Sequence, residues 1–387
     1  MTERTPGMLA TADGELFEGR SVGAEGVVTG EAVFNTSMTG YQEIITDPSY
    51  AGQVVVMTSP HIGNYGVNDF DEQSSGPAVS GFVMRSMSRR DSNWRSDGSL
   101  GAYFNVNRVV GLTDIDTRRL TRHLRDKGAM PVAMGAGMTE SELMAAAEAA
   151  PGMEGRDLAS LVTTPDPYRL EAEGERKGTV VAIDLGMKRD ILRNLTRRGF
   201  DVEVMPAGAS SESVMAANPD GVFVSNGPGD PEPLVATVET LRRLIGEVPV
   251  FGICLGHQVM GLAIGGATFK LPFGHHGGNH PVRRLFDGKV EITSQNHGFA
   301  VDLWGLTEPR APVREGLVGP DLLPGLVETE FGRVQPSHQN LNDGTLEGMA
   351  FSDVAAFSVQ YHPESAPGPS DARGLFDGFV TMIKAAH

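Results

Sequence analysis

Two different rhythms of apolar and polar positions divide the chain. From residue 178 onward, continuous apolar runs (GTVVAIDLG, FDVEVMP, DGVFVSN, VPVFGI) alternate with the amphipathic stretches KRDILRNLTRRG and PEPLVATVETLRRLIGE. The runs predict strands buried on both faces and the stretches between them predict helices, the second with a proline in its first turn. LGHQVMGLAIGG extends the series as a further helix, and AAFSVQYHPES alternates as a strand that ends at His362, where Pro363 stops the ladder. Such an order implies an α/β fold with a mostly parallel sheet covered by helices on both faces, because right-handed crossovers place them there. Ligands in such sheets bind beyond the carboxyl ends of the strands.

Residues 1–150 read differently. Short strand-like runs such as GVVTGEAVFNT and GQVVVMTSP are separated by Gly, Pro and Asp. DIDTRRLTRHLRDKG predicts a helix capped by Asp116, with Leu120 and Leu124 on one face and Gly128 at its end; TESELMAAAEAA predicts a second. This is an α+β pattern without internal repeats. The stretch TTPDPYRLEAEGERKG is polar and holds two prolines, so the expected division is an N-terminal domain over 1–162, a linker over 163–177 and a second domain over 178–387.

Composition narrows the classes. A net charge of -17 on 387 residues disfavours nucleic acid and anionic membrane surfaces as partners. No purely apolar stretch reaches membrane-spanning length, and the N-terminus lacks the basic start and apolar block of a signal peptide, which points to the cytoplasm. The single cysteine, Cys254, can form no internal disulfide and excludes zinc sites built on several cysteines.

That cysteine stands where a strand meets a helix, in Gly252-Ile-Cys254-Leu-Gly256, the spacing of a nucleophile elbow. The turn brings neighbouring backbone close, so small flanking residues are required, and the helix N-terminus favours an anionic sulfur. A lone cysteine is more often a buried apolar side chain. The elbow spacing and a possible base together make catalysis the better reading. His362 at its strand end, with Glu364 two residues on, supplies that base and a carboxylate to fix its tautomer. In SNGPGDP, Gly227 and Gly229 can present N–H groups to a carbonyl oxygen or carboxylate, although an ordinary tight turn explains the same residues equally well. FGHHGGNH offers His275, His276 and His280, but without fixed ligand geometry it reads as a polar loop near the site, and no metal is expected. No phosphate-binding G-x-x-x-x-G-K-[ST] loop is present.

GICLGHQ, SNGPGDP and HPE together resemble the class I, triad-type glutamine amidotransferases, over about residues 178–387. FNTSMTGYQEIITDPSYAGQ, PHIGNYGVN, DIDTRRLTRHLRDKGAM, DLGMKRDI, FGHHGGNHPV and SQNHGFAV resemble the carbamoyl phosphate synthetase small subunit, so the likeness runs along nearly the whole chain. It implies an N-terminal α+β domain in contact with a partner, followed by a flavodoxin-like sheet. It also implies Cys254 as nucleophile, His362 as base and Glu364 as its orienter. Glutamine contacts carry over to Ser49, Gly227, Gly229, Leu255, Gln258, Asn296, Gly298 and Phe299. The implied partner is the large synthetase subunit, which holds the ATP and magnesium; no cofactor is expected on this chain. The ammonia would feed arginine and pyrimidine synthesis. The glutaminases of anthranilate and GMP synthesis lack such an N-terminal extension, a silent subunit would have no need of the intact cysteine, and nothing resembles the extended groove of a peptidase. The stretch from Asp302 to Asn340, rich in Pro, Gly and Glu, is longer than the family pattern leads one to expect.

Overall fold

The computed structural model describes residues 5–307 and 323–386. It consists of two compact units: Met1–Glu154 with Pro272–Gly277, and Gly155–Leu271 with Gly278–His387.

The first unit is built on a closed barrel, in which no strand is left with an open edge. Around it run Pro6–Thr11, Leu16–Gly23, Val110–Thr113, Gly81–Val83, Gln53–Met57, Val27–Asn35 and Met130–Gly135. Leu9, Val54, Val56, Leu112 and Val132 form its core with Leu120 and Leu124 of the helix Thr117–Lys127. That helix begins and ends as its sequence predicts. Asp116 accepts from the Arg119 N–H at 3.0 Å, and Gly128, at φ 98°, donates its N–H to Leu124 at 2.9 Å. The helix Glu140–Ala149 carries a reciprocal cap between Thr139 and Glu142.

The second unit is a flavodoxin-like sheet. Its parallel core is ordered Phe200–Pro206, Gly178–Asp184, Gly221–Val224, Val250–Ile253, Ala356–Val359, a 2-1-3-4-5 arrangement. The central runs Val180–Ile183, Gly221–Val224 and Val250–Ile253 are apolar because both faces are covered. Val181, Ile183, Val222 and Val224 pack on Leu241, Leu244 and Val259 on one side. On the other side, Val180, Ala182, Phe223 and Phe251 pack on Ile191, Leu195, Phe376 and Phe379. Each such valine, leucine, isoleucine or phenylalanine contributes about 1.5–3 kcal/mol on burial. Beyond Ala356–Val359 the sheet turns antiparallel, through Leu346–Phe351 and Gly332–Asn340.

Four expectations are corrected. Residues 163–177 do not behave as a free linker: Tyr168–Leu170 pairs antiparallel with Phe200–Pro206, and Arg169 and Arg176 both bond Asp201. An edge strand pairs on one side only, so its polar composition concealed it. The boundary between the units falls at Glu154/Gly155, and FGHHGGNH is part of the long strand Ala267–Arg284, not a loop. The helix over 231–247 begins at Val235, two residues after its last proline. In the long stretch after Asp302, Val327–Thr329 and Gly332–Asn340 are strands, while residues 308–322 lie outside the described residues. Among the described residues no helix is long and apolar enough to cross a membrane.

Candidate active site

Val250–Ile253 ends at Cys254, and the helix Leu255–Ala263 starts on the next residue. Cys254 has φ 54° and ψ -106°, a conformation that L side chains rarely adopt. The surrounding glycines show why the turn can be this tight. A Cβ on Gly252 would lie 2.6 Å from Met260 Sδ, and one on Gly256 would lie 2.3 Å from the Val224 carbonyl. Backbone bonds fix the elbow to its neighbours: Cys254 N–H to Val359 O at 2.9 Å, and Gly256 N–H to Ser225 O at 2.9 Å. The Leu255 N–H belongs to the first turn of the helix, where backbone donors have no partner within the helix. The thiol is buried and donates to Asn296 O at 3.5 Å.

His362 follows the neighbouring strand Ala356–Val359 and is held by its own N–H to Ser294 O at 2.9 Å. Its Nδ1 lies 2.6 Å from Glu364 Oε1, and its Nε2 is buried without a hydrogen-bond partner among the described residues. Burial opposes a charged imidazole, but Glu364 and then Cys254 outweigh it and raise His362 from 6.5 to about 10. Burial also opposes the Glu364 carboxylate, yet Lys188 and then His362 bring it from 4.5 down to about 2. Lys188 is itself buried, with its Nζ 2.9 Å from Glu364 Oε1 and 2.5 Å from Ser365 O. His257, three residues after the cysteine, is no rival base. Burial and then the charge of His338 push it down to about 3, and its Nδ1 is engaged with Ser358 Oγ at 2.8 Å.

Two loops at the carboxyl ends of the sheet interlock beside the elbow. Asn226 accepts from Lys188 N–H at 3.2 Å and donates to Gly186 O at 2.9 Å, while Ser225 Oγ accepts from Leu185 N–H at 2.9 Å. Gly227 packs so closely that a Cβ there would lie 2.1 Å from Leu185 O and 2.7 Å from Leu255 Cδ2. Gly229 has φ +90°. The result is a buried sulfur, an imidazole oriented by a carboxylate, and backbone N–H groups around them, a set suited to acyl transfer.

Comparison with known proteins identifies the lineage. Residues 9–134 match the carbamoyl-phosphate synthase small chain, CPSase domain, and residues 181–382 match the class-I glutamine amidotransferase family. The carbamoyl phosphate synthase small chain of Syntrophotalea carbinolica is 49% identical over 390 aligned residues, covering 97% of each chain. The chain belongs to the carbamoyl-phosphate synthase small-chain family. The small chains of Streptomyces avermitilis (48% identical, covering 98% of this chain and 97% of that one) and Vibrio cholerae (47%, covering 97% and 98%) are similar along their whole length as well.

Of the residues expected at the site of this small chain, Gly227, Gly229, Leu255, Gln258, Asn296, Gly298 and Phe299 all lie in the second unit with Cys254. Gln258 Nε2 donates to Phe299 O at 2.8 Å and to Gln360 Oε1 at 3.1 Å, so it positions the segment after Asn296. Gly298 has open space where a Cβ would stand. Ser49 belongs to the first unit, buried in the turn Pro48–Tyr50, with its N–H on Asp47 Oδ1 at 2.9 Å. Sequence reasoning missed Lys188. The one available signal was a lysine just past a mostly apolar strand, in DLGMK, where the ends of a parallel sheet gather ligand-binding groups.

Proposed function

We propose that this chain hydrolyses glutamine and passes the ammonia to a large synthase chain that makes carbamoyl phosphate. The observation that carries the reading is a cysteine in a strained elbow beside a histidine whose far nitrogen is bonded to a buried glutamate.

In this mechanism Cys254 Sγ attacks the carboxamide carbon of glutamine, and the oxygen of the tetrahedral intermediate is met by N–H groups of Leu255 and the Gly227–Gly229 loop. The proton from the thiol resides on His362 Nε2. It transfers to the departing nitrogen, so ammonia leaves as the C–N bond breaks and a glutamyl thioester remains. His362, now neutral, accepts a proton from water, whose oxygen attacks the thioester; glutamate leaves and the thiol is restored. Glu364 holds the imidazole in the tautomer that aims Nε2 at the sulfur, and Lys188 holds Glu364 ionised. Gly227, Gly229, Leu255, Gln258, Asn296, Gly298 and Phe299 are proposed to hold glutamine.

Ammonia is mostly protonated at neutral pH and then is no nucleophile, which favours direct transfer to the large chain. ATP and magnesium belong to that chain, and the product would enter arginine and pyrimidine synthesis in the cytoplasm. Mass spectrometry of protein quenched during glutamine turnover tests the chemistry. A glutamyl adduct on the peptide containing Cys254 is expected, and turnover with an adduct elsewhere would contradict the assignment.

A further inference from the structure

The first unit holds a cavity of about 780 Å³ whose lining includes four arginines. Arg118, Arg122 and Arg125 stand on one face of the helix Thr117–Lys127, since positions i, i+4 and i+7 align. Leu120 and Leu124, on the other side of the helix, enter the barrel core. Arg85 comes from a second element, just past the strand Gly81–Val83, and is turned toward the start of the helix by a bond from its Nη1 to the Ile115 carbonyl at 3.4 Å. Like charges one turn apart are unfavourable on a helix, and the fold neutralises these only in part. Arg125 pairs with its neighbour Asp126 at 2.7 Å. Asp116, the one acid among the described residues of the lining, caps the helix by accepting the Arg119 N–H at 3.0 Å. The guanidinium groups of Arg118 and Arg122 make no ion pair or hydrogen bond among the described residues.

Arginines on an exposed helix face are commonly no more than a solvated surface. Two observations set this group apart. Its members converge from two elements on one cavity, in a chain whose net charge is -17. Thr121, between Arg118 and Arg125 on the helix, lines the same cavity with its Oγ1 buried and without a hydrogen-bond partner among the described residues. A buried hydroxyl left in this way is costly, and an anion held by the arginines is the acceptor it lacks.

The lining also restricts the class of anion. Arg118 and Arg125 are seven residues apart, a rise of about 10.5 Å along the helix, which is more than one small oxyanion spans. The volume falls within the roughly 300–1,000 Å³ of small-molecule sites. Hydroxyls of Thr58, Thr117 and Thr121 join the guanidinium forks, so donors reach the cavity from several directions, as the three oxygens of a phosphoryl group require and the two of a planar carboxylate do not. No aromatic ring is among the described residues of the lining, so nothing there would stack on a nucleobase. We propose that this cavity binds a small, non-aromatic molecule carrying two phosphoryl groups, with Arg118 and Arg122 as its principal charge partners. The site lies wholly within the first unit and is independent of the glutaminase reading.

The test is calorimetric titration of the full chain at about 0.15 M salt, with pyrophosphate and fructose 1,6-bisphosphate as probes and inorganic phosphate and citrate as comparisons. At least one of the two probes is expected to bind one per chain, more tightly than either comparison anion. Arg118→Gln/Arg122→Gln should weaken that binding about tenfold or more, whereas Arg90→Gln, an exposed arginine outside the cavity, should leave it unchanged. The same probe should raise the melting temperature of wild type and fail to raise that of the double variant, which without ligand should melt and hydrolyse glutamine like wild type. Absence of saturable binding by both probes would overturn the site, as would equal weakening by Arg90→Gln or full binding in the double variant. Citrate or inorganic phosphate binding as tightly as the better probe would overturn the assignment to a molecule with two phosphoryl groups.

Discussion

Lys188 and His362 meet on a single oxygen: Glu364 Oε1 lies 2.9 Å from Lys188 Nζ and 2.6 Å from His362 Nδ1, with all three side chains buried. The carboxylate thus faces two cations, and the lysine keeps it charged while the histidine takes its direction from it. A buried charge left without its partner is costly, so the three stand or fall together.

Replacing Lys188 with methionine preserves length and removes the charge. Glu364 then loses the larger of its two stabilising partners, and the variant should be less stable by about 3–5 kcal/mol in urea unfolding, with glutamine hydrolysis reduced through kcat. Wild-type stability would show that Lys188 is dispensable to the cluster.

The same network has a pH signature. Glu364 is lowered from 4.5 to about 2, so its contribution to stability is complete above about 4.5 and is lost as pH falls through about 2. His362 is raised from 6.5 to about 10, so its contribution is complete below about 6.5 and is lost as pH rises through about 10. The stability gap between wild type and His362→Asn should therefore be full between about pH 4.5 and 6.5 and narrow as the pH rises toward 10. A gap that stays constant across the alkaline range would contradict the assignment of charge to this imidazole.

Strain at the elbow can be read from two substitutions of one residue. In helices alanine ordinarily exceeds glycine in stability, but Cys254 sits at φ 54°, where a Cβ is unfavourable. Cys254→Gly should be more stable than Cys254→Ala by about 1–2 kcal/mol, and both should be inactive. The ordinary order, alanine above glycine, would mean the elbow stores no strain.

Gly227 tests the loop beside the elbow. A Cβ there would press on the Leu185 carbonyl and the Leu255 side chain, and backbone cannot give way cheaply. Gly227→Ala should cost about 1–3 kcal/mol and lower glutaminase activity about a hundredfold; an active, stable variant would remove this loop from the proposed oxyanion site.

Much of this architecture was legible because its causes are local. The runs Val180–Ile183 and Gly221–Val224 are apolar at every position because both faces are covered, and the elbow needs glycines at fixed offsets from Cys254, so each leaves a mark in the sequence. Asp116 and Gly128 likewise mark the ends of their helix. What escaped notice depends on distant partners. Tyr168–Leu170 becomes a strand only because Phe200–Pro206 offers it an edge, and the role of Lys188 exists only where Glu364, 176 residues away in sequence, comes to meet it. The closure of the N-terminal strands into a barrel is equally invisible in their short runs, since pairing between Val27–Asn35 and Met130–Gly135 spans the unit.

The most direct measurement is ammonia release from glutamine by the purified chain, alone and with a large carbamoyl phosphate synthase chain, with Cys254→Ser as control. Hydrolysis that disappears in Cys254→Ser and rises when the large chain is added is the predicted result. Hydrolysis that persists in Cys254→Ser, or none in either state, would contradict the account.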